Sequence, residues 1–570
     1  MDDVDAVQAQ IARNMLTSGD WVTARLDGVA YLEKAPLHYW INAAFYDVLG
    51  ISDWPARVPY ALSSIALALL TTAFGIRAFG KKAGFYAGLC IATCTGLFLF
   101  TRILIPDVML TFTIALAMWA FLRALDPQET HPRLWAMTLA VSLGLGLLLK
   151  SLVAIVFPVF TALIYLAVTR QLFVRQTWKR LHPISGALIV LLVAAPWHVL
   201  ATLRNPPYFS FSFQSGPGEY HGFLWFFFMN EQFLRFLNLR YPRDYNTVPR
   251  LYFWLFHLIW LFPWSVYIPA IFKLSFKPVD RAGQTRLLAV CWIGFLLIFF
   301  TFSTTQEYYS MPCYPAFALL IGCAMATRVK WIQIGTRVLC VLVICSAVAG
   351  IGILIAVRHV PTPADISVAL SYNPQVYTLS LGHMEDLTLR SFAYLRRPLA
   401  MAVVAFLIGA FGNLWWKGQR AFLATALMMV VFFHAARLAM VAFDPFLSTR
   451  PLAEVILRAP PGKLISAYPY YQFSSVWFYT NRNPLIWNGR YNNLEYGSYA
   501  PGAADIFIDD ARVQSLWRDA DRYYLVAEDS QLPRISTVLG QQLNPVAHSG
   551  GKTLLTNHPL PDKAAFSIRQ

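Results

Sequence analysis

Apolar residues in this chain neither alternate strictly nor keep to one helical face; they run on in blocks close to the ~20 residues that a helix needs to cross a bilayer. Twelve such blocks stand at 58–76, 84–101, 107–125, 134–149, 151–169, 184–203, 251–272, 287–303, 311–327, 338–357, 398–416 and 421–443. Alternate connections between them carry the basic residues: Arg77, Lys81 and Lys82, then Arg123 and Arg133, then Arg170, Arg175, Lys179 and Arg180. Lys273, Lys277, Arg281 and Arg286 continue the series, followed by Arg328, Lys330 and Arg337, and by Lys417 and Arg420. Basic loops stay in the cytoplasm. Parity therefore places Met1–Arg57, Arg102–Asp107, Arg204–Arg250, Thr304–Ser310, Arg358–Pro398 and the tail after Phe443 on the outer side. An even number of spans leaves both ends outside. The acidic start has no apolar run before it to carry it across, so a thirteenth span upstream of Met1 is expected.

Past Phe443 the hydropathy falls and the period shortens. Lys463–Tyr468, Pro484–Trp487, Tyr523–Ala527 and Lys552–Thr556 read as short strands between Gly, Pro and Asn turns, with a helix somewhere in Gly502–Ala520. The expected organisation is an outer juxtamembrane segment over 1–57, a polytopic α-helical membrane domain over 58–443 and a soluble α/β domain over 444–570.

Composition excludes a soluble enzyme: 57% of residues are hydrophobic, 13% are charged and the mean hydropathy is +0.49. The net charge of +16 is spread in small clusters between apolar runs, so it points to anionic lipid and topology rather than to nucleic acid. Seven cysteines, Cys90, Cys94, Cys291, Cys313, Cys323, Cys340 and Cys345, lie in or beside apolar runs at spacings that match no zinc motif. No secretory signal peptide opens the chain.

Charge at a membrane boundary is costly and usually has a use, so the outer connections hold the candidate chemistry. Asp2, Asp3 and Asp5 precede an amphipathic helix over Ala6–Ser18 and can cap it through the helix dipole. Tyr31 to Trp40 is an aromatic stretch holding the adjacent pair Glu33 and Lys34. Asp107 follows Pro106 at the start of a span, where it can cap that helix or serve a site. Lys150 interrupts an apolar run at the outer boundary and either snorkels or meets a phosphate. Glu231 and Arg235 fall in Phe226–Arg235, which reads as an interfacial helix.

With Gly19-Asp20-Trp21, Arg57, Pro196-Trp197, Pro263-Trp264, Tyr308-Tyr309, Pro312 and Pro315, these motifs occur in an order that resembles the GT-C superfamily of polyprenyl-phosphate-sugar glycosyltransferases. Within it the chain is most similar to the lipid A aminoarabinose transferases and the protein O-mannosyltransferase-like proteins, over roughly residues 2–325. The resemblance implies thirteen spans, a periplasmic site at a bacterial inner membrane, and inverting transfer from an undecaprenyl-phosphate sugar to lipid A, lipopolysaccharide or another envelope acceptor. The catalytic acidic residue that it implies falls on Asp5, with Asp3 next and Asp107 as a further carboxylate. Positive charge must meet the leaving phosphate: Lys34 first, then Lys150, Arg235, Tyr309, Arg57 and Tyr31. The lysine that many family members carry before the tyrosine near Pro312 is missing from Thr304-Thr-Gln-Glu307. No cofactor is required by these motifs, although Glu33 with His38 or His221 is a possible seat for a divalent metal ion. A monomer in membrane lipid is expected.

Two other classes fit part of the pattern. A secondary transporter or lipid flippase would explain many spans, but such proteins keep ionisable groups near the midplane and show repeated halves. A non-catalytic subunit presenting its tail to envelope partners would keep its properties when Asp5 or Lys34 is replaced.

Overall fold

The computed structural model describes every residue except 244–247, 328, 364, 372–381, 541–542 and 561–570; Arg328 and part of the polar loop after Arg358 thus lie outside the described residues. Among the described residues, nine of the twelve apolar runs form helical segments long and apolar enough to cross a bilayer, among them Asp53–Phe79, Asp107–Leu125, Pro132–Lys150 and Arg281–Phe302. The chain is a multi-pass membrane protein. Three runs depart from a continuous span, each for a local reason. The run at 84–101 breaks at Cys94 into Lys81–Thr93 and Thr95–Phe100, and the run at 151–169 gives the shorter helix Val153–Val168, with Pro158 inside it. The run at 251–272 bends by 98° between Arg250–Trp260 and Trp264–Ile271, where Pro263 lacks the N–H that would continue the helix. The breaks support each other: Thr95 donates through N–H and hydroxyl to the Phe262 carbonyl, at 3.0 and 3.1 Å.

The charged connections gather as the loop parity requires. Arg77 pairs with Asp126 and Glu129 at 2.9 and 3.2 Å, Arg281 reaches Asp126 at 2.8 Å, and Arg123 contacts Glu129. Arg180 donates to the Leu125 and Asp126 carbonyls at that same end of the bundle.

At the opposite end the chain begins with a helix one turn longer than the pattern predicts, Asp3–Ser18. Of the three early carboxylates only Asp2 caps it, accepting the Asp5 N–H at 2.8 Å, while Gly19 closes it in the left-handed conformation at φ 71°. A small hairpin of β1 (Arg25–Leu26) and β2 (Val29–Ala30) follows, and then a helix over Leu37–Leu49 that the aromatic pattern of Tyr31–Trp40 did not announce.

The tail forms a six-stranded sheet of β3 (Lys463–Ala467), β4 (Leu485–Trp487), β5 (Phe507–Ile508), β6 (Tyr523–Glu528), β7 (Asn544–Ser549) and β8 (Lys552–Thr556) in the order β5-β4-β3-β6-β8-β7. The first four positions pair in parallel; β8 runs antiparallel to β6 and β7. Four strands lie where the short-period pattern puts them, and the predicted helix is Asp510–Trp517. The two strands that were missed are edge strands, one of two residues and one carrying Pro545, where alternation is weak.

The sheet is fastened to the first helix. Lys552 donates to Asp3 at 2.6 Å and to the Gln472 carbonyl at 2.9 Å, and Arg13 donates to the Phe478 carbonyl at 2.9 Å. Asp3 also accepts from the Ser475 N–H and hydroxyl and from the Thr449 hydroxyl. Removing one partner of such a buried pair typically costs about 3–5 kcal/mol, because the other charge stays buried. Lys552→Ala is accordingly expected to lower the apparent unfolding temperature of the detergent-solubilised protein by several degrees. An unchanged temperature would show that this pair does not hold the sheet in place.

Candidate active site

A cavity of about 430 Å³ opens between the Asp107–Leu125, Pro132–Lys150 and Arg281–Phe302 helices, the segment Gly222–Leu234 and the turn at Thr304–Pro312. One part of its wall is apolar, with Phe227, Phe228, Phe233, Phe236, Phe299 and Phe300; another carries Glu33, Lys34, Asp107, Lys150, Glu231, Arg235 and Tyr309. Residues from five separate stretches of chain meet here: Glu33 and Lys34 from the turn before the Leu37–Leu49 helix, and the others from the ends of helices and the turn at Thr304–Pro312.

The charges are paired in series. Lys34 lies 2.9 Å from Glu33, whose other oxygen takes Arg240 at 3.0 Å. Arg240 also contacts Glu231, which pairs with Arg235 at 2.7 Å, and Arg235 donates to the Tyr309 hydroxyl at 2.9 Å. Across the cavity Lys150 reaches Asp107 at 2.5 Å and lies 4.6 Å from the centre of the Tyr309 ring. Among the described residues, Lys34, Lys150, Arg235 and Arg240 thus meet Glu33, Glu231 and Asp107 in a pocket partly screened from water. Burial by itself would raise the Glu33 pKa, yet Lys34 and Arg240 together hold it down at about 2. Lys34 is raised above its ordinary value: burial opposes its charge most, and Glu33 and Glu231 together overcome it.

Of the residues singled out from sequence, Lys34, Lys150, Glu231, Arg235, Tyr309, Asp107 and Glu33 line this cavity; Asp2, Asp3, Asp5, Tyr31, His38, Arg57 and His221 do not. Asp3 is displaced, because Lys552, Ser475 and Thr449 occupy its carboxylate beneath the sheet. Tyr31 is buried behind Glu33, donating to it at 3.1 Å and accepting from Asn493 at 3.0 Å. Its hydroxyl therefore supports the carboxylate instead of facing the cavity. Asp5 and Arg57 pair at 2.6 Å and together grip the loop before Asp107: Leu104 N–H donates to Asp5 at 2.8 Å, and Arg57 donates to the Arg102 carbonyl. Ile105, Pro106 and Asp107, next along that loop, are cavity wall. Burial first, then the Asp2 charge, pushes the Asp5 pKa up to about 7 against the pull of Arg57.

Glu33 and His221, the residues weighed as a metal seat, each have other partners. Glu33 is engaged by two cations and Tyr31, while His221 sits against Ser210, Glu219 and the Trp225 ring. His38 is buried on the Leu37–Leu49 helix; burial and then the Lys34 charge push its pKa down to about 3. Among the described residues no three His, Cys, Asp or Glu side chains converge as a metal site.

Two contributors escaped the sequence reading. Arg240, fully buried between Glu33 and Glu231, sits in a loop with no period; the signal available was a pair of acidic residues in need of a cation. Asn493 reaches Tyr31 and Arg240 from the tail, and Tyr496 beside it receives the His221 N–H at 2.9 Å and stacks on Phe226 at 4.0 Å. No spacing relates residue 493 to residue 31.

Against known proteins, residues 33–199 match a family described as dolichyl-phosphate-mannose-protein mannosyltransferase. An undecaprenyl phosphate-α-4-amino-4-deoxy-L-arabinose arabinosyl transferase of Pseudomonas fluorescens is 28% identical over 57% of this chain and 52% of its own length. One from Pseudomonas aeruginosa is 27% identical over 70% of this chain and 64% of its own. The chain thus spans about half to two thirds of the length of the curated relatives it matches. The crystal structure of ArnT from Cupriavidus metallidurans bound to undecaprenyl phosphate superposes on all of this chain and 95% of that one, with a TM-score of 0.76 at 20% identity. The chain has the fold of that ArnT structure and is similar in sequence to the aminoarabinose arabinosyl transferases. The family match begins at Glu33 and takes in Lys34, Arg57, Asp107 and Lys150; Arg235 and Tyr309 complete the cavity from outside it.

Proposed function

We propose that the protein transfers a sugar, with inversion, from undecaprenyl phosphate to lipid A, lipopolysaccharide or another acceptor at the periplasmic face of a bacterial inner membrane, which the chain crosses twelve times between residues 58 and 443. The observation that carries this reading is the cavity itself. Its phenylalanine wall suits a prenyl chain entering from the bilayer, and its cationic wall suits the phosphate at the head of that chain. As the bond from sugar to phosphate breaks, negative charge collects on the leaving phosphate, and Lys34, Lys150, Arg235 and the Tyr309 hydroxyl are already oriented by Glu33, Asp107 and Glu231 to receive it. Held by ion pairs before the donor arrives, they need little reorganisation during the reaction.

The relatives named as arabinosyl transferases support 4-amino-4-deoxy-L-arabinose as the sugar to try first. Asp5 is assigned the acidic role that the resemblance implies: general base for a hydroxyl acceptor, or orienting charge for a phosphate acceptor. No step calls for a metal ion, and the protein acts as a monomer. A transporter reading gains nothing from the structure, since the ionic network gathers at one end of the bundle.

The test is to purify the protein in detergent and supply a panel of undecaprenyl-phosphate sugars with lipid A. Release of undecaprenyl phosphate together with a glycosylated lipid is the expected result. Folded protein that releases nothing from any donor would overturn the proposal.

A further inference from the structure

At the cavity end of the bundle stands a second group of cations that the donor network leaves out. Arg102 lies with its guanidinium 4.5 Å from the Phe98 ring, and Phe98 stacks in parallel on Phe433 at 4.1 Å. Arg437 is one helical turn beyond Phe433 on the helix Gln419–Ala442, which brings it to the same corner as Arg102. Arg57 closes the group by donating to the Arg102 carbonyl. Arg57 is neutralised by Asp5, but no carboxylate among the described residues pairs with Arg102 or Arg437, and the Arg102 Nε is buried without a hydrogen-bond partner. Like charges crowded together disfavour their own ionisation: burial first, and then the Arg57 and Arg437 charges, lower the Arg102 pKa from its ordinary value.

Arginine keeps its charge in proteins and offers a planar fork of donors matched to phosphate oxygens. We infer that Arg102 and Arg437 form a binding site for a lipid phosphate, separate from the donor cavity and reached from the bilayer beside Phe98 and Phe433. The ligand is an anionic lipid because Arg437 is exposed on a membrane-spanning helix whose flank is apolar, so the anion arrives attached to chains lying along that flank. Within the proposed function this is the acceptor's anchor. Arg102 opens the loop whose Ile105, Pro106 and Asp107 are cavity wall, and Asp5 and Arg57 hold that loop at Leu104 and Arg102, so the two sites share one loop.

The experiment compares wild type with Arg102→Gln, Arg437→Gln and the double variant. Lipid adducts are read by native mass spectrometry after incubation with lipid A or phosphatidylglycerol, and KM for lipid A and for the donor is read in phosphatidylcholine vesicles. Loss of one or two charge-assisted hydrogen bonds should raise the lipid A KM at least about tenfold, leave the donor KM unchanged and remove the lipid A adduct, with Arg437→Lys restoring part of the affinity. Loss of the phosphatidylglycerol adduct with an unchanged lipid A KM would keep the site and give it to bulk anionic lipid. Adducts of both lipids as abundant in the double variant as in wild type would overturn the inference and leave the two arginines as snorkelling residues. The adducts decide this even if no donor supports transfer, so failure here and failure of the proposed function are separable.

Discussion

Lys34→Ala is expected to lower kcat about 10²- to 10³-fold, the usual cost of removing one donor aimed at charge that develops in a transition state. Lys34 is partly exposed within the cavity, is held 2.9 Å from Glu33 and keeps its proton because that carboxylate stabilises it. Alanine removes the donor and leaves Glu33 with Arg240 and Tyr31, so the pocket keeps its shape and loses one cation. Steady-state kinetics with the donor separate the two roles open to this lysine. A fall in kcat with little change in donor KM means that Lys34 acts on the leaving phosphate; a rise in KM alone means that it binds ground and transition states equally. Unchanged kinetics would reduce it to a prop for Glu33. Arg235→Ala serves as the comparison, because it strands Glu231 and the Tyr309 hydroxyl as well as removing a donor.

Asp5→Asn is expected to cost about 10²- to 10⁴-fold in transfer to a hydroxyl acceptor, the usual range for a general base, and to abolish a pH dependence that wild type shows. The Asp5 pKa is pushed up to about 7, chiefly by burial, so the carboxylate ionises as pH rises through 7 and activity rises with it. Glu33, held at about 2, and His38, lowered to about 3, do not titrate in that window. Stability moves the other way. The folded protein holds this proton more tightly than the unfolded chain, so the contribution of Asp5 to stability is greatest below the ordinary carboxylate value of 3.8 and declines as pH rises to 7. Asparagine retains an oxygen for the Leu104 N–H, so that hold on the loop before Asp107 stays, while the charge and the pairing with Arg57 are lost. If Asp5→Asn keeps the wild-type rate and pH profile, the acidic role belongs elsewhere, with Asp107 next to be tested.

Asp2, Asp3 and Asp5 look alike in sequence, yet the fold sends them to three duties. Asp2 caps its helix, Asp3 ties down the sheet through Lys552, and Asp5 meets Arg57. Successive residues on a helix point about 100° apart, so neighbours in sequence face different partners, and which partners wait there depends on chain hundreds of residues away. Lys150 and Asp107 were legible one at a time as charges at an apolar boundary, but their pairing across 43 positions was not.

By itself the sequence determined the class of molecule, most of its helices, the end of the bundle at which its chemistry gathers, and four strands of its tail. All of these follow from hydropathy, charge placement and short periods, which act within a few turns of chain. Only the tertiary structure decided that Arg240 and Asn493 join the site, that Tyr31, Arg57 and Asp3 stand outside the cavity, and that Glu33 takes two cations where a metal ion had been an option. Those outcomes rest on contacts between distant segments, and a buried charge accepts whichever counter-charge the packing delivers, at whatever separation in sequence.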